Sequence, residues 1–151
     1  MPLTSINLYT LKQIRLARRR YDLETLQINS PRICHKVIEQ FLALSSDPVE
    51  KFGIISMNIK HRILGIHIIS VGNLEEAEVR PREVFAAALH NNAGAIIAFH
   101  NHPSGEVEPS KADIEITKKL KEAGELMNIR VLDHNIVGEG RFCSMKEKGW
   151  V

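Results

Sequence analysis

Two rhythms of apolar and polar positions run along this chain, and the switches between them mark its elements. After Ser30-Pro31, Ile33, Val37, Phe41 and Leu44 recur at spacings of four, four and three. That is the stripe of an amphipathic helix, with Ser30 as its N-cap and Pro31 at its first position. Asp47-Pro48 ends it. Phe52–Ile59 and Ile63–Val71 are rich in β-branched residues and flank the polar turn Lys60-His61-Arg62, which predicts a hairpin of largely buried strands. Gly72-Asn73 is a further turn, and Ala77–Val79 predicts a short third strand. A helix from Pro81 to about Asn91 carries Val84, Phe85, Ala88 and Leu89 on one face, with Gly94 beyond its end.

Ala95–His100 is almost wholly apolar, the pattern of a central strand covered on both faces. A loop rich in Pro and Gly follows, and Ser110 then caps the longest helix, about Lys111–Asn128, with Ile114, Thr117, Leu120 and Ala123 at helical spacing. Arg130–Val137 and Arg141–Met145, separated by Gly138-Glu139-Gly140, close the chain as a pair of strands. The predicted order is α, β-β-β, α, β, α, β-β. It implies an α/β fold, a single-domain mixed β-sheet with helices on both faces. Residues 1–29 lack a clean period and read as an N-terminal arm, extended or helical around Leu11–Arg20. The domain itself runs over 30–151.

Composition narrows the class. A chain of 151 residues suits one domain, and 44% apolar with 25% charged residues is the balance of an ordinary globular protein. The longest apolar run, Ala93 to Phe99, is far short of the roughly 20 residues that span a bilayer, so no membrane association is expected. No basic-then-apolar leader is expected either. Cys34 and Cys143 lie far apart with no CxxC, which fits a reducing, cytoplasmic setting. The net charge is only +2, but Lys12, Arg15, Arg18, Arg19 and Arg20 gather in the first twenty residues with no acid among them. Such an arm allows a weak nucleic-acid contact through phosphate; a solvated face or an oligomer contact is the plainer reading. Oligomeric state stays open.

The chemistry concentrates in His100-Asn101-His102-Pro103-Ser104-Gly105, followed by Ser110 and Asp113. On an extended segment residues i and i+2 share a side, so His100 and His102 present both imidazoles to one point at the strand's C-terminal end. Asp113 falls in the first turn of the next helix, whose start returns close to that end. Two imidazoles and a carboxylate leave a fourth tetrahedral position on Zn²⁺ open for water, the arrangement of a catalytic zinc. An HxH pair alone arises by chance roughly 0.3 times in a chain of this composition, but adding the serine and aspartate at their spacings lowers that to roughly 5 × 10⁻⁴. The full pattern is therefore specific.

H-x-H-x7-S-x2-D resembles the metal motif of the JAMM/MPN+ metalloproteases, and His100–Gly105 with Pro109-Ser110 and Asp113 is similar to the RadC branch in particular. The likeness extends to Pro81-Arg82-Glu83-Val84-Phe85, to Ala-Gly-Glu at 123–125, and to Asp133-His134 with Ile136-Val137-Gly138. It covers about residues 30–150. The helix-hairpin-helix region of full-length RadC proteins is not expected in this chain, so no DNA contact of that region is carried over. Asn73 stands where the family usually has threonine, a departure that leaves the metal motif intact. The resemblance implies a JAB/MPN fold, a cytidine-deaminase-like sandwich. It implies that His100, His102 and Asp113 hold Zn²⁺, that Ser110 stabilises an oxyanion, and that Glu50, just before the first strand, is the general base. The activity it implies is hydrolysis of a peptide, isopeptide or other amide bond, with the peptide or protein substrate unidentified.

Duller readings stand beside these. Ser110-x-x-Asp113 is also a plain helix cap, compatible with ligation. Glu50 is one surface carboxylate among several, with Glu75, Glu76 and Glu78 in the next loop as rivals. Asp133 and His134 either support the site from behind or cap a strand. Ser104 lacks a nucleophile elbow and reads as a turn residue, Cys143 reads as a small core residue, and His35, His61, His67 and His90 read as structural or solvated. A non-catalytic MPN-fold or DNA-associated module is the rival function. If the motif is a metal site, the protein purifies with about one zinc per chain, and His102→Ala loses it. Metal analysis showing full occupancy in that variant would remove these residues from the site.

Overall fold

Ser30 caps the first helix as its position predicts, its hydroxyl accepting from the Ile33 N–H at 3.3 Å. The computed structural model describes residues 7–8, 27–74 and 78–151. In chain order they form α1 (Pro31–Leu42), a 3-10 turn (Leu44–Ser46), β1 (Lys51–Met57), β2 (Ile63–Val71), α2 (Pro81–His90), β3 (Ala95–Asn101), α3 (Lys111–Met127), β4 (Arg130–Gly138) and β5 (Arg141–Ser144). The strands make one sheet in the order β2-β1-β3-β4-β5, antiparallel throughout except for the parallel pair β3–β4 that α3 connects.

Period-two alternation on β3 sorts its side chains between two cores. Ala95, Ile97 and Phe99 pack with Cys34, Val37, Ile38 and Leu44 on the α1 side. Ile96 and Ala98 pack with Val84, Phe85, Ala88, Ile116 and Leu120 on the side of α2 and α3. Every residue of β3 is buried, as its apolar run predicts. The expected architecture of a mixed sheet with helices on both faces is present.

The details differ where pattern alone could not see the neighbours. Among the described residues β2 is an edge strand rather than a buried one: it pairs there with β1 alone along its length, and Leu64, Ile68 and Val71 are 45%, 40% and 59% exposed. Leu89, expected on the inner face of α2, is exposed. Of the expected third strand, Ala77 lies outside the described residues, and Glu78 and Val79 form no strand. The buried face of α3 is Asp113, Ile116, Thr117, Leu120 and Gly124, while Ile114 and Ala123 are only half-buried. That face is rotated from the apolar stripe because two of its members are polar and are satisfied inside.

The basic residues Lys12, Arg15, Arg18, Arg19 and Arg20, and the expected helix around them, lie outside the described residues. Gln27 and Ile28, at the end of the expected arm, join the domain. Gln27 bridges Arg62, the Ile28 N–H donates to the His61 carbonyl at 3.0 Å, and the Ile28 side chain is buried. Among the described residues no helix is long and apolar enough to cross a membrane.

Gly53 marks the tightest approach within β1. A Cβ there would run into the Phe99 ring and the backbone carbonyl of His67, and the carbonyl cannot swing aside. Gly53→Ala is expected to cost about 1–3 kcal/mol of stability through overpacking. Urea unfolding checks this, and an unchanged midpoint would mean that the β1–β2 bulge beside Gly53 absorbs the methyl group.

Candidate metal centre

Antiparallel register brings the first of the expected residues into place. Phe52 on β1 lies opposite His100 on β3. Glu50, two residues before Phe52 and just past the end of β1, falls on the same side of the sheet by alternation and joins His100 and His102 in one group of donors. Phe52 fills the floor, its ring stacked 6.1 Å from that of His100 and edge-on to His134 at 5.4 Å. α3 supplies the remaining carboxylate. Its N-terminus carries a complete capping box: the Asp113 N–H donates to Ser110 Oγ at 3.1 Å, and the Ser110 N–H donates to Asp113 Oδ2 at 2.8 Å. Capping thus aims the Asp113 side chain. The duller reading of Ser110 and Asp113 is correct, and it is compatible with the sharper one.

Glu50, His100, His102 and Asp113 each offer one donor atom, and these atoms all lie within 4.8 Å of one another. His100 Nε2 is 2.9 Å from His102 Nε2 and 3.1 Å from Asp113 Oδ1, and His102 Nε2 is 3.2 Å from Asp113 Oδ2. His100 and Asp113 are wholly buried, while His102 and Glu50 face the opening. The orientation of His102 is set from outside: its Nδ1 lies 2.8 Å from the Glu106 carbonyl, which only accepts, so the neutral ring keeps its proton on Nδ1 and offers the Nε2 lone pair inward. Lone pairs and a carboxylate that converge at about 3 Å fit a cation among them, and the donor set of two imidazoles and one carboxylate is one that transition metals prefer.

The electrostatics agree. Burial raises the Asp113 carboxyl, but the two imidazoles beside it and the Ser110 N–H outweigh it and hold its pKa well below the usual carboxylate range. The same bond to Asp113 lifts His102 above its ordinary value. Burial pushes Glu50 up, against the pull of the two imidazoles, and burial holds His134 well below an ordinary imidazole.

The loops are tied down by residues that the motif does not announce. Asn101, between the two histidines and facing the other way, clamps the segment that carries Glu50. Its Oδ1 accepts from the Lys51 N–H at 2.7 Å, and its Nδ2 donates to the Val49 carbonyl at 3.1 Å and to that of Asp47 at 3.3 Å. Its place inside His-Asn-His was the available signal. Gly105, at φ +86, turns the loop under His102, with its N–H donating to the His102 carbonyl at 2.9 Å. Gly138 lets that loop lie close, since a Cβ there would strike the Gly105 carbonyl oxygen.

Asp133 and His134 separate. The Asp133 carboxylate accepts from Ser144 Oγ at 2.6 Å and from the Lys146 N–H at 3.0 Å, tying β4 to the segment after it. His134, on the opposite face of β4, reaches His100 at 2.7 Å. Glu78, a rival to Glu50, is exposed and pairs with Lys119 at 4.0 Å; Glu75 and Glu76 lie outside the described residues. His35, stacked on Phe142, and His67, bonded to Asn91, stand apart from the donor group, as do His61 and His90. Cys143 is a buried, free core cysteine.

A five-stranded mixed sheet with helices on both faces and a His-x-His pair meeting an aspartate at the strand end defines a JAB/MPN domain. Residues 28–150 match the family described as RadC-like JAB domain, and the chain belongs to that family. Among its relatives, a UPF0758 protein of Caldanaerobacter subterraneus subsp. tengcongensis is 44% identical over 84% of this chain and 54% of its own length. A UPF0758 protein of Desulfitobacterium hafniense (strain DSM 10664 / DCB-2) is 43% identical over 90% of this chain and 60% of its own length. A third, from Thermosynechococcus vestitus, is 42% identical over 91% and 55%. The chain spans between half and two-thirds of the length of these relatives.

A cation entering here displaces the proton that Asp113 helps His102 to keep. Because His102 holds that proton above the ordinary value of about 6.5, Zn²⁺ affinity should rise with pH through and beyond that value, then level once the ring is neutral. Zinc titrations of chelator-treated protein across about pH 6–8.5 check this. A flat affinity over that range would show that His102 releases no proton on binding.

Proposed function

We propose that this chain is a zinc-dependent hydrolase of JAMM type that cleaves a peptide, isopeptide or other amide bond. The observation that carries this reading is the meeting of a second carboxylate, Glu50, with the three donors His100, His102 and Asp113. A structural metal site needs no partly exposed carboxylate at its mouth; a hydrolytic one needs a base there. Bound by His100, His102 and Asp113, Zn²⁺ would supply Lewis-acid chemistry, polarising a carbonyl and acidifying water at neutral pH.

The chain's own residues do the rest. Glu50, with its carboxyl raised by burial, takes a proton from water and returns it to the leaving nitrogen. Asn101 holds the backbone on both sides of Glu50, so the carboxylate is presented without a search through loop conformations. Ser110 Oγ accepts from the Asp113 N–H, which leaves its own O–H free to donate to a developing oxyanion. The substrate is a peptide or protein whose amide enters from the side of His102 and Glu50. Two buried, free cysteines suit a reducing cytoplasm.

Two measurements test this reading. Metal analysis of protein purified without added metal should find zinc; iron, which the same donor set also suits, or no metal would overturn the zinc assignment. An unbiased peptidase screen should find cleavage that a chelator abolishes. Glu50→Gln should keep its zinc while turnover falls about 10²–10⁴-fold, and wild-type activity should decline as pH falls through the raised Glu50 pKa, because only the carboxylate accepts a proton. Near-normal turnover in Glu50→Gln would mean that another group is the base.

A further inference from the structure

Behind His100 lies a chain of buried hydrogen bonds that the metal motif does not include. Thr117, on the inner face of α3, has its Oγ1 2.6 Å from the Asp113 carbonyl, 2.6 Å from His134 Nδ1 and 3.4 Å from Met145 Sδ. His134 Nε2 in turn lies 2.7 Å from His100 Nδ1. Thr117 and His134 are both no more than 1% exposed.

The direction of every bond follows from which groups can only accept. A carbonyl oxygen and a thioether sulfur both lack a proton, so the single Thr117 hydroxyl proton goes to one of them, and the carbonyl at 2.6 Å is the stronger acceptor. The contact between Oγ1 and His134 Nδ1 must then be a bond that Nδ1–H donates. His134 hydrogen-bonds only to a hydroxyl and another imidazole in a wholly buried place, and burial outweighs the more distant pull of Asp113, so it is neutral. A neutral ring protonated on Nδ1 bears its lone pair on Nε2. That lone pair requires Nδ1–H on His100, which leaves the lone pair of His100 on Nε2, the atom facing His102 and Asp113.

We propose that Thr117 and His134 form a positioning relay that locks His100 in the tautomer able to bind a metal. The inference rests on the reading of His100 as a metal ligand. It adds a reason why α3 matters twice: the helix that supplies Asp113 also supplies, one turn on, the hydroxyl that sets the proton on β4 and through it the ligand on β3. Glu106 performs the equivalent task for His102 through a backbone carbonyl, which side-chain substitution cannot remove. The His100 arm is therefore the one open to test.

Removing the hydroxyl as Thr117→Val keeps shape and burial but takes away the acceptor that His134 Nδ1–H has among the described residues. His134 then gains by moving its proton to Nε2, where it opposes His100 Nδ1–H and drives the His100 proton onto the ligating nitrogen. Thr117→Ser keeps the hydroxyl and should keep the lock. Zinc affinity, read by competition with a chromophoric chelator, should fall about 10–100-fold in Thr117→Val and stay close to that of the unaltered protein in Thr117→Ser. An unchanged affinity in Thr117→Val, or an equal loss in both variants, would overturn the relay. Nitrogen-15 spectra of the histidine rings in chelator-treated, unaltered protein give a second reading that needs no variant to fold. They should show the protons on Nδ1 of both His134 and His100. A proton on Nε2 of a neutral His134 would overturn the proposal outright. Neither readout depends on turnover, so a protein that shows the lock yet cleaves nothing would sink the hydrolase and leave the relay standing.

Discussion

Three electron-pair donors are held face to face at the end of β3, two of them fully buried, at separations of about 3 Å. Such a cluster repels itself unless positive charge lies among its members. Without a metal, the proton that Asp113 helps His102 to keep supplies some of that charge; a divalent ion held by all three would supply more. The surrounding structure keeps those donors from turning away from one another. This constraint explains why polar groups that a small core would normally exclude are found packed beneath α3.

The rigidity comes from every side. The parallel β3–β4 pair and the antiparallel β1–β3 pair fix His100 between Phe52 and the His134 ring on β4. The capping box fixes Asp113, and the close approach of Gly138 to Gly105 seats the loop that orients His102. Glu50 lies off a regular element, just before β1, and Asn101 compensates by bonding the backbone on either side of it. A base that moves a proton must reach two positions, and a site at a strand's end beside an opening gives it that latitude while the ligands stay fixed.

The neighbouring polar residues share the work by face. Asp133 and His134 are adjacent in sequence, yet one ties β4 to the following segment and the other supports His100, because successive residues on a strand point to opposite sides. Asn101 and the two histidines that flank it divide in the same way.

Much of this was legible before any coordinates. The Ser30-Pro31 cap, the wholly apolar β3, the long helix after Ser110 and the closing strand pair all follow from local rules of capping and periodicity, which depend on residues within a few positions of one another. His100, His102 and Asp113 could be chosen for the same reason, since one strand end and the next helix start bring them together. Glu50 needed the family likeness, because its meeting with His102 depends on a β1–β3 register that joins residues fifty apart. The exposure of β2 and Leu89, the rotation of α3 and the roles of Asn101, Thr117 and His134 were decided only in the folded chain. A strand does not know from its own sequence whether it will stand at an edge. A threonine in a helix reads as one more member of an apolar stripe until the ring that bonds it arrives from another strand. Local periodicity determined which elements form and which atoms could bind a metal; long-range packing determined which faces are buried and which nitrogen each buried proton occupies, because both depend on groups that only tertiary contact supplies.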